Sequence, residues 1–471
     1  MNTISQLRNQ YKNKQTKVAD HISSLIKDNL TKDTQLNAFI THTSELALAQ
    51  AHKLDAELAL NPTIIDSKPL FGVPIAFKDI FLVQDTLTTA ASHVLSNYQA
   101  QYSATAYKRV TDAGAICIGK LNCDAWAHGS SGENSQFGAT HNPWNLDYVP
   151  GGSSSGSAVA VSAQMATVTM GSDTGGSIRL PASFCNVVGL KPTYGRVPRY
   201  GVISMASSLD SIGHFTQTVE DSAIVLSVTA GQDPYDASTS PAPIPTYHKD
   251  LDLPKRKLRI GIPKEYVDQG LDQEVGQVFD KVKSVFNQQL DCEIVPVSLP
   301  HTQYGIAVYY IIQTSEVSSN LGRYDGIRYG SKRDMFGDEA KRRVMLGTYV
   351  LSAGHHDAYY TKAQQVRTLI KQDFDTVFQN VDALIAPVSP TPPFKLNSKS
   401  SDPMQMYLSD ILTVTINLAG VPSISIPGGF SSSKLPIGFQ IIGPHLSEQL
   451  LFQLGHAYQQ KTSWHTQNPA I

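Results

Sequence analysis

The sequence predicts an α/β fold with a β-sheet core. Short apolar runs typical of strands alternate along the chain with segments of helical periodicity. The alternation has no repeat of fixed period, which supports a sheet core covered by helices. The 471 residues correspond to about three domains of average length, and a single large α/β domain also fits. A chain of this length buries a large core without needing disulfides or metal.

The predicted elements follow from hydrophobic periodicity and from the turn-forming residues between apolar runs. Ile22, Ile26 and Leu30 recur at helical spacing, and residues 3–60 are predicted to be helical. A Pro- and Asp-rich stretch at 231–254 predicts a surface segment. The remaining predictions are strands at 73–77, 115–118, 258–262, 293–297, 383–386 and 423–426, and helices at 104–113, 273–289 and 338–378.

Composition narrows the classes of function. Lys plus Arg number 38 against 40 for Asp plus Glu, and this balance disfavours a chain that grips nucleic acid alone. The N-terminus lacks the apolar core of a secretion signal, and no stretch reaches the ~18 apolar residues of a membrane helix. The four cysteines form no C-x-x-C pair. We therefore expect reduced thiols in a cytoplasmic protein without membrane association.

Residues 129–177 are rich in glycine and serine. Such composition is typical of a flexible linker. Here, however, the Gly/Ser segments alternate with apolar segments such as 158–163, and linkers do not alternate with core. We predict an ordered site in which glycine permits close approach of backbone or substrate.

Ser177, in the segment Gly-Ser-Asp-Thr-Gly-Gly-Ser-Ile-Arg, is a candidate nucleophile. A turn poor in side chains allows the N–H groups of Thr174, Gly175, Gly176 and Ser177 to converge as an oxyanion hole. A phosphate-cradling turn is the alternative, but the G-x-x-x-x-G-K-[ST] pattern is absent.

A nucleophilic serine needs a base, and none of the 14 histidines lies in a recognisable triad context. Lys78 lies in the otherwise apolar segment Pro69–Phe81. Burial disfavours the charged form of lysine, and a neutral amine acts as a base in Ser–Lys pairs. The alternative is a lysine whose stem covers apolar surface while its ammonium reaches water.

Three segments together resemble the amidase signature family. They are Gly-Val-Pro-Ile-Ala-Phe-Lys-Asp around Lys78, Pro-Gly-Gly-Ser-Ser-Ser-Gly-Ser around Ser153, and the Gly/Ser turn at Ser177. The spacings between the three residues match that family as well. The resemblance implies that Lys78 is the base, that Ser153 is a proton-relay serine held by a cis peptide, and that Ser177 is the nucleophile that forms the acyl ester.

The resemblance also implies how the chain is organised. One amidase-signature domain would span residues 1–471, with a mixed β-sheet covered by helices on both faces. Within it we expect an N-terminal helical region at 1–60, a catalytic core at 61–230, and the second part of the sheet with the substrate pocket at 255–471.

Further segments, at 119–124, 189–197, 207–210 and 233–239, resemble one branch of the family, the glutaminase subunits of tRNA-dependent amidotransferases. This implies hydrolysis of glutamine to glutamate and ammonia without a cofactor in this chain. It also implies a heterotrimer with two other subunits. One of them binds tRNA and uses ATP and Mg²⁺ to convert Glu-tRNA(Gln) to Gln-tRNA(Gln), and the other is small. A stand-alone amidase acting on small or aryl amides is the alternative, and the intact Lys78, Ser153 and Ser177 disfavour a non-enzymatic scaffold.

A pocket selective for free glutamine needs a cation for the α-carboxylate and an anion for the α-ammonium. The resemblance assigns these to Arg343, with Arg342 as the competing choice, and to Asp410. Tyr309 or Tyr310 would line the same pocket. The alternative is that the charged residues are solvated surface groups and the tyrosines belong to the core.

The sequence departs from the family pattern in two places. Ala125-Trp126 stands where the family commonly has Glu-Phe, and the chain between Tyr329 and Phe336 is shorter than usual. The second departure concerns a peripheral loop rather than the catalytic residues. His355-His356 resembles part of a metal site, but without a third ligand in the sequence we predict no metal.

Overall fold

The computed structural model describes residues 2–267, 270–328, 330–399 and 403–471. Tyr329, at one end of the loop predicted to be short, lies outside the described residues. The strands in this part of the chain are β1 Phe39–His42, β2 Pro74–Lys78, β3 Ile116–Leu121, β4 Val168–Asp173, β5 Val188–Lys191, β6 Ser211–Thr216, β7 Arg259–Pro263, β8 Glu293–Val297, β9 Ala383–Pro387, β10 Ser423–Phe430 and β11 Pro436–Ile442.

Helices lie between the strands in the described residues, and Val285–Gln289 and Asp357–Thr361 form π-helical turns. The α-helices are α1 Ile4–Lys12, α2 Val18–Leu36, α3 Ser44–Leu60, α4 Ile64–Ser67, α5 Thr105–Asp112, α6 Ser155–Ser162, α7 Arg179–Phe184, α8 Val219–Thr229, α9 Gln273–Ser284, α10 Gly305–Leu321, α11 Asp338–Leu351, α12 Lys362–Val377, α13 Pro403–Tyr407, α14 Val414–Ala419 and α15 Glu448–Lys461.

One mixed sheet runs through the described chain in the order β1-β3-β2-β4-β6-β5-β10-β11-β9-β7-β8. β2 is parallel to both β3 and β4, and β7 is parallel to both β8 and β9. The other neighbours are antiparallel. Because β2 and β4 are parallel neighbours, their carboxyl ends lie side by side.

Apolar side chains cover both faces of the sheet. Alternate residues of a strand point to opposite faces. Ile75 and Phe77 of β2 accordingly join a core that includes α5, α8 and α15, while Ala76 joins a core that includes α2, α3 and α6. At the other end of the sheet, the second face packs against α10, α12 and α14. The predicted α/β class, with a mixed sheet covered on both faces, is confirmed, whereas the subdivision at 60, 230 and 255 stays a prediction.

Two element predictions are wrong in part. Residues 3–60 are not helical throughout, since Phe39–His42 pairs with β3 as the edge strand β1. The helical block predicted at 338–378 consists of two helices, because the chain turns between Leu351 and Asp357. The Gly/Ser segments, in contrast, are buried and ordered, as predicted: every residue of α6 is buried.

All four cysteines are buried and unpaired. Burial raises the pKa of the thiols, to about 11 for Cys117 and Cys292, to about 12 for Cys123, and well above the usual value for Cys185. None of the helices in the described ranges has the length and apolar character needed to cross a bilayer.

Candidate active site

Lys78 lies where the carboxyl ends of the neighbouring strands β2 and β4 meet. It is the last residue of β2 and is fully buried. Its Nζ lies 2.7 Å from the Oγ of Ser153 and 3.0 Å from the Oγ of Ser172 on β4. The second contact follows from the register of the two strands, which places Phe77 opposite Met170. The amine is therefore held between two hydroxyl groups.

The surroundings of Lys78 favour a neutral amine. Burial lowers its pKa, and Cys123 and three acidic residues only partly offset that effect. In the part of the chain that the structure describes, Lys78 forms no ion pair with a carboxylate. Lys120 provides a contrast, since it is equally buried but paired with Asp79 at 2.7 Å. Lys78 is thus placed to accept a proton, and its predicted alternative as a surface-covering lysine is excluded by its burial.

Ser153 is held in place from both sides. The Gly152–Ser153 peptide bond is cis, as the resemblance implies. The Ser153 carbonyl accepts a hydrogen bond from the N–H of Asp124 at 3.1 Å. The Asp124 carboxylate lies against Gly152, so that any Cβ at that position would collide with it. The chain then enters α6 two residues later, and Ser153 has little freedom to move.

The turn that carries Ser177 is organised by Asp173, the last residue of β4. The Asp173 carboxylate accepts hydrogen bonds from the N–H groups of Gly176 at 2.8 Å and Ile178 at 3.1 Å, and from the guanidinium of Arg179 at 3.0 and 3.1 Å. Burial alone would raise the pKa of Asp173, but Arg179, together with Lys191 and the N–H of Ile178, outweighs burial and lowers the pKa to about 2. Gly176 has φ +142°, and a side chain there would strike Thr413. Only glycine fits this position.

The predicted oxyanion hole needs one correction. The N–H of Gly176 already donates to Asp173, so it is not free to bind an oxyanion. Within the described residues, the N–H groups of Thr174, Gly175 and Ser177 have no hydrogen-bond partner. Thr174 is anchored through its side chain, which donates to Asp210 at 2.7 Å. Three of the four predicted donors are therefore available.

The three predicted catalytic residues are brought into one region but are not all in contact. Ser177 is 9% exposed, and its carbonyl accepts a hydrogen bond from the N–H of Ser154 at 3.2 Å, which ties the two serine segments together. Among the described residues, its Oγ forms no hydrogen bond to Ser153 or Lys78. Catalytic hydrogen bonds are often long in a free enzyme and shorten when substrate binds.

A cavity of about 260 Å³ is lined by both Arg342 and Arg343, and also by Ser130, which donates to Asp410. The Arg343 side chain is 4% exposed, whereas that of Arg342 is 42% exposed, and the choice of Arg343 as the pocket arginine stays a prediction. Arg343 Nε donates to Glu339 at 2.7 Å, and the guanidinium lies over the rings of Tyr310 and Tyr407. Burial lowers the pKa of Arg343, but Glu339 and the tyrosines outweigh this effect and the net direction is upward.

Asp410 supplies the opposite charge close to the nucleophile turn. It is buried and accepts a hydrogen bond from Ser130 Oγ at 2.6 Å. Thr413 Oγ lies within hydrogen-bond distance of the carbonyls of Asp410, at 3.0 Å, and Gly175, at 2.6 Å, and so links the two turns. Burial raises the pKa of Asp410 to about 7, against the opposing effects of Ser130 and Arg343.

The two candidate tyrosines have different positions. The ring of Tyr309 lies against Gly175, where a Cβ would approach its Cζ to 2.6 Å. Tyr310 packs edge-on against Tyr309 and stacks on Tyr407, beneath Arg343. Tyr309 therefore contacts the nucleophile turn, while Tyr310 supports the arginine.

Sequence reasoning missed Ser172, Ser130 and Glu339. Ser172 lies next to Asp173 in the segment already singled out, but its contact with Lys78 depends on strand register. Ser130 lies 280 residues from its partner Asp410, and no local pattern connects them. Glu339 occurs one helical turn before Arg343, a spacing that is a detectable signal for an ion pair.

The described residues contain no group of three or more His, Cys, Asp or Glu arranged to hold a metal ion. The two adjacent histidines have other neighbours. His355 lies 3.1 Å from the Oγ of Ser352, and His356 lies 2.9 Å from a carboxylate oxygen of Asp357.

The fold and the grouping of Lys78, Ser153 and Ser177 indicate an amidase, and comparison with known proteins supports this class of enzyme. The Amidase family profile matches residues 20–452. The chain belongs to the amidase family, and the resemblance seen in its three motifs is confirmed.

Within the amidase family, the chain is similar to relatives that share one name. The chain is similar to the A subunit of glutamyl-tRNA(Gln) amidotransferase from Geobacter metallireducens, with 48% identity over 100% of this chain and 99% of that protein. The same subunit from Trichlorobacter lovleyi is 49% identical with the same coverage. The crystal structure of this subunit from Thermotoga maritima is 36% identical, with a TM-score of 0.81 over 98% of this chain and 95% of that one. The structure of 6-aminohexanoate cyclic dimer hydrolase has a TM-score of 0.88 at 25% identity and covers 100% and 98% of the two chains.

Proposed function

We propose that this chain is the glutaminase subunit of a glutamyl-tRNA(Gln) amidotransferase. The observation that carries the proposal is a buried aspartate linked to the nucleophile turn through Thr413, with a buried arginine in the cavity lined by its partner Ser130. A general amidase has no need for such a pair, whereas free glutamine presents one carboxylate and one ammonium group. The relatives that match over 99–100% of this chain are named as the A subunit of glutamyl-tRNA(Gln) amidotransferase, and this supports the proposal.

In the proposed reaction, neutral Lys78 accepts a proton from Ser153 as Ser153 accepts one from Ser177. The Ser177 Oγ then forms a bond to the side-chain amide carbon of glutamine. The negative charge that develops on the amide oxygen is stabilised by the N–H groups of Thr174, Gly175 and Ser177. Proton transfer back through Ser153 to the amide nitrogen releases ammonia and leaves a γ-glutamyl ester on Ser177.

Water hydrolyses that ester by the same proton relay and releases glutamate. The role of Lys78 requires an uncharged amine, and the burial described above supports it. Ser172 provides a second hydrogen-bond partner that holds Nζ when the bond to Ser153 is broken.

The pocket would hold glutamine by its two α-substituents. Arg343 would bind the α-carboxylate, since its Nε is occupied by Glu339 and its terminal nitrogens form no hydrogen bond with the described residues. Asp410 would bind the α-ammonium group. Tyr309 would position the side-chain amide against the turn at Gly175. These roles explain selection of the amino acid over an amide without charged groups.

We further propose that the chain acts in a cytoplasmic heterotrimer with two other amidotransferase subunits. The larger partner would bind tRNA, use ATP and Mg²⁺, and take up the ammonia to convert Glu-tRNA(Gln) to Gln-tRNA(Gln). The third, small subunit would steady this chain in the complex. The net charge of −2 is in keeping with this division, because tRNA would be bound mainly by the larger partner.

The proposal is tested by purifying the tagged chain from its own cells and identifying the proteins that co-elute. We expect two stoichiometric partners, and ammonia release from glutamine that disappears in a Ser177→Ala preparation. A chain that elutes alone and hydrolyses simple or aryl amides in preference to glutamine would instead establish the stand-alone amidase.

A further inference from the structure

His128 is a buried histidine with unsatisfied hydrogen-bonding groups. Its side chain is completely buried. Neither ring nitrogen has a hydrogen-bond partner in the part of the chain that the structure describes. Leaving such a group unpaired costs on the order of 1–3 kcal/mol per atom, and native proteins rarely accept this without a reason. His214, which is equally buried, has its Nε2 2.7 Å from Ser222 Oγ.

The position of His128 suggests that reason. The preceding residue, Ala127, lines a small cavity together with Ser172, the second partner of Lys78. The two following residues, Gly129 and Ser130, line the larger cavity that contains Arg343. His128 thus lies between residues that line the two cavities.

The backbone of this segment is firmly held. The N–H of His128 donates to Ala125 at 3.0 Å, and its carbonyl accepts from Asn134 at 2.6 Å. Trp126 and Ala127 both adopt the left-handed conformation, with φ of +59° and +63°. The main chain that carries the ring is therefore fixed, and the ring is completely buried, so a hydrogen-bond partner would come from the adjoining cavities.

Charge restricts what that partner is. Burial lowers the pKa of His128 well below its usual value, and the positive charge of nearby Arg343 lowers it further. A neutral imidazole has one N–H donor and one acceptor. The anion that Arg343 attracts is the natural acceptor for that N–H.

We infer that His128 is a substrate-binding residue whose ring N–H donates a hydrogen bond to the α-carboxylate of bound glutamine, beside Arg343. The inference rests on the proposed glutaminase function and adds a third residue to the two α-substituent contacts. The α-ammonium group would remain with Asp410.

The test compares two substrates in the purified complex. Glutamine carries the α-carboxylate, and 4-aminobutanamide has the same amide and amino groups without it. We expect His128→Leu to raise KM for glutamine roughly 10- to 100-fold, the effect of losing one hydrogen bond to a charged group. With 4-aminobutanamide the penalty should largely disappear, and His128→Asn or His128→Gln should restore part of the glutamine affinity.

His214→Leu is the matched control, because it removes another fully buried imidazole that lines neither cavity. It should leave the ratio of the two substrates at the parent value. Equal penalties on both substrates in His128→Leu, or no penalty on either, would overturn the inference. A parent complex that does not hydrolyse glutamine would refute the proposed function, and the inference would fall with it.

A second measurement does not depend on the folding of His128→Leu. In the Ser177→Ala complex labelled with ¹⁵N-histidine, L-glutamate is titrated as the probe, and the His128 signal is assigned by its loss in His128→Gln. A shift of the His128 donor nitrogen on saturation supports the inference. An unchanged signal with glutamate bound would mean that an ordered water alone satisfies the ring, and would overturn it.

Discussion

Replacement of Arg343 by alanine tests the proposed pocket most directly. The terminal nitrogens of Arg343 form no hydrogen bond with the described residues, although the side chain is buried in the cavity wall. Two hydrogen bonds to a carboxylate, at about 1.5–3 kcal/mol each, give a loss of at least about 3 kcal/mol. This corresponds to more than about 100-fold in kcat/KM for glutamine.

Loss of stability should be smaller than loss of activity. Glu339 loses Arg343 but keeps Arg342 and the hydroxyl of Tyr407, which lies 3.1 Å away. The carboxylate is therefore not left without a partner, and a decrease of about 1–2 kcal/mol in the free energy of unfolding is expected. The variant should remain folded at the assay temperature.

The assay measures kcat/KM for glutamine and for 4-aminobutanamide in the parent, Arg343→Ala and Arg342→Ala complexes. In the parent, removal of the α-carboxylate from the substrate should cost about as much as removal of Arg343 from the protein. In Arg343→Ala the two substrates should become nearly equivalent, because the partner of the carboxylate is already gone. Arg342→Ala should change either value less than about threefold, since its exposed ion pair with Glu339 contributes little.

Two results would refute this reasoning. Equal losses for both substrates in Arg343→Ala would mean that the arginine supports the fold or the chemistry rather than the carboxylate. A larger effect in Arg342→Ala than in Arg343→Ala would move the assignment to the neighbouring residue.

Four further predictions concern the reacting groups and the pocket. Ser177→Ala should abolish ammonia release from glutamine, measured in an enzyme-coupled assay, while far-UV circular dichroism and partner binding stay as in the parent; release at the parent rate would remove Ser177 as nucleophile. Lys78→Ala and Lys78→Arg should both lose at least about 10²–10⁴-fold in kcat, because neither supplies a neutral amine; a mild effect in either would exclude Lys78 from the proton relay. Ser172→Ala should lower kcat by about 10-fold or less, since Lys78 keeps its bond to Ser153; a loss as large as that of Lys78→Ala would show that Ser172 itself transfers the proton. KM for glutamine should fall as pH rises from about 6 to about 8, because the pKa of Asp410 is raised to about 7 and only its ionised form binds an ammonium group. An Asp410→Asn variant should lose this pH dependence. The same pH profile of KM in the variant and the parent would contradict the role of Asp410 in binding the α-ammonium group.

The pH dependence of binding and of stability should have opposite signs at Asp410. Its pKa in the folded chain is higher than the usual value of 3.8, so the folded state holds the proton more tightly than the unfolded state. This contribution to the free energy of unfolding is present below about pH 4 and is lost as pH rises towards about 7. Substrate binding improves as pH rises through about 7, since it requires the ionised carboxylate.

The proposed catalytic residues could be singled out from the sequence because each lies in a short contiguous motif. Lys78, Ser153 and Ser177 are marked by glycine, proline and serine neighbours that sharp turns and close approach require. The resemblance assigns Arg343 with Arg342 as its competitor, and the sequence alone does not show that the Arg343 side chain is buried while that of Arg342 is partly exposed.

What escaped prediction depends on contacts between distant segments. The strand β1 was hidden between two helices, because four residues carry little periodicity of their own. Ser172 meets Lys78 only through the parallel pairing of β4 with β2. The engagement of Gly176 by Asp173 follows from the geometry of one turn, which composition does not specify.

The four buried thiols provide the chain with an internal indicator of its own integrity. Thiol reagents attack the thiolate, and in the native chain each thiol is both shielded and difficult to ionise. Cys117 lies in β3, the strand beside Lys78, and Cys123 follows it closely, while Cys292 lies next to β8 at the opposite edge of the sheet. The rate at which a disulfide reagent labels them without denaturant therefore reports opening of the fold at two separate places. An inactive variant that labels as slowly as the parent has lost chemistry alone, and one that labels quickly has lost its structure.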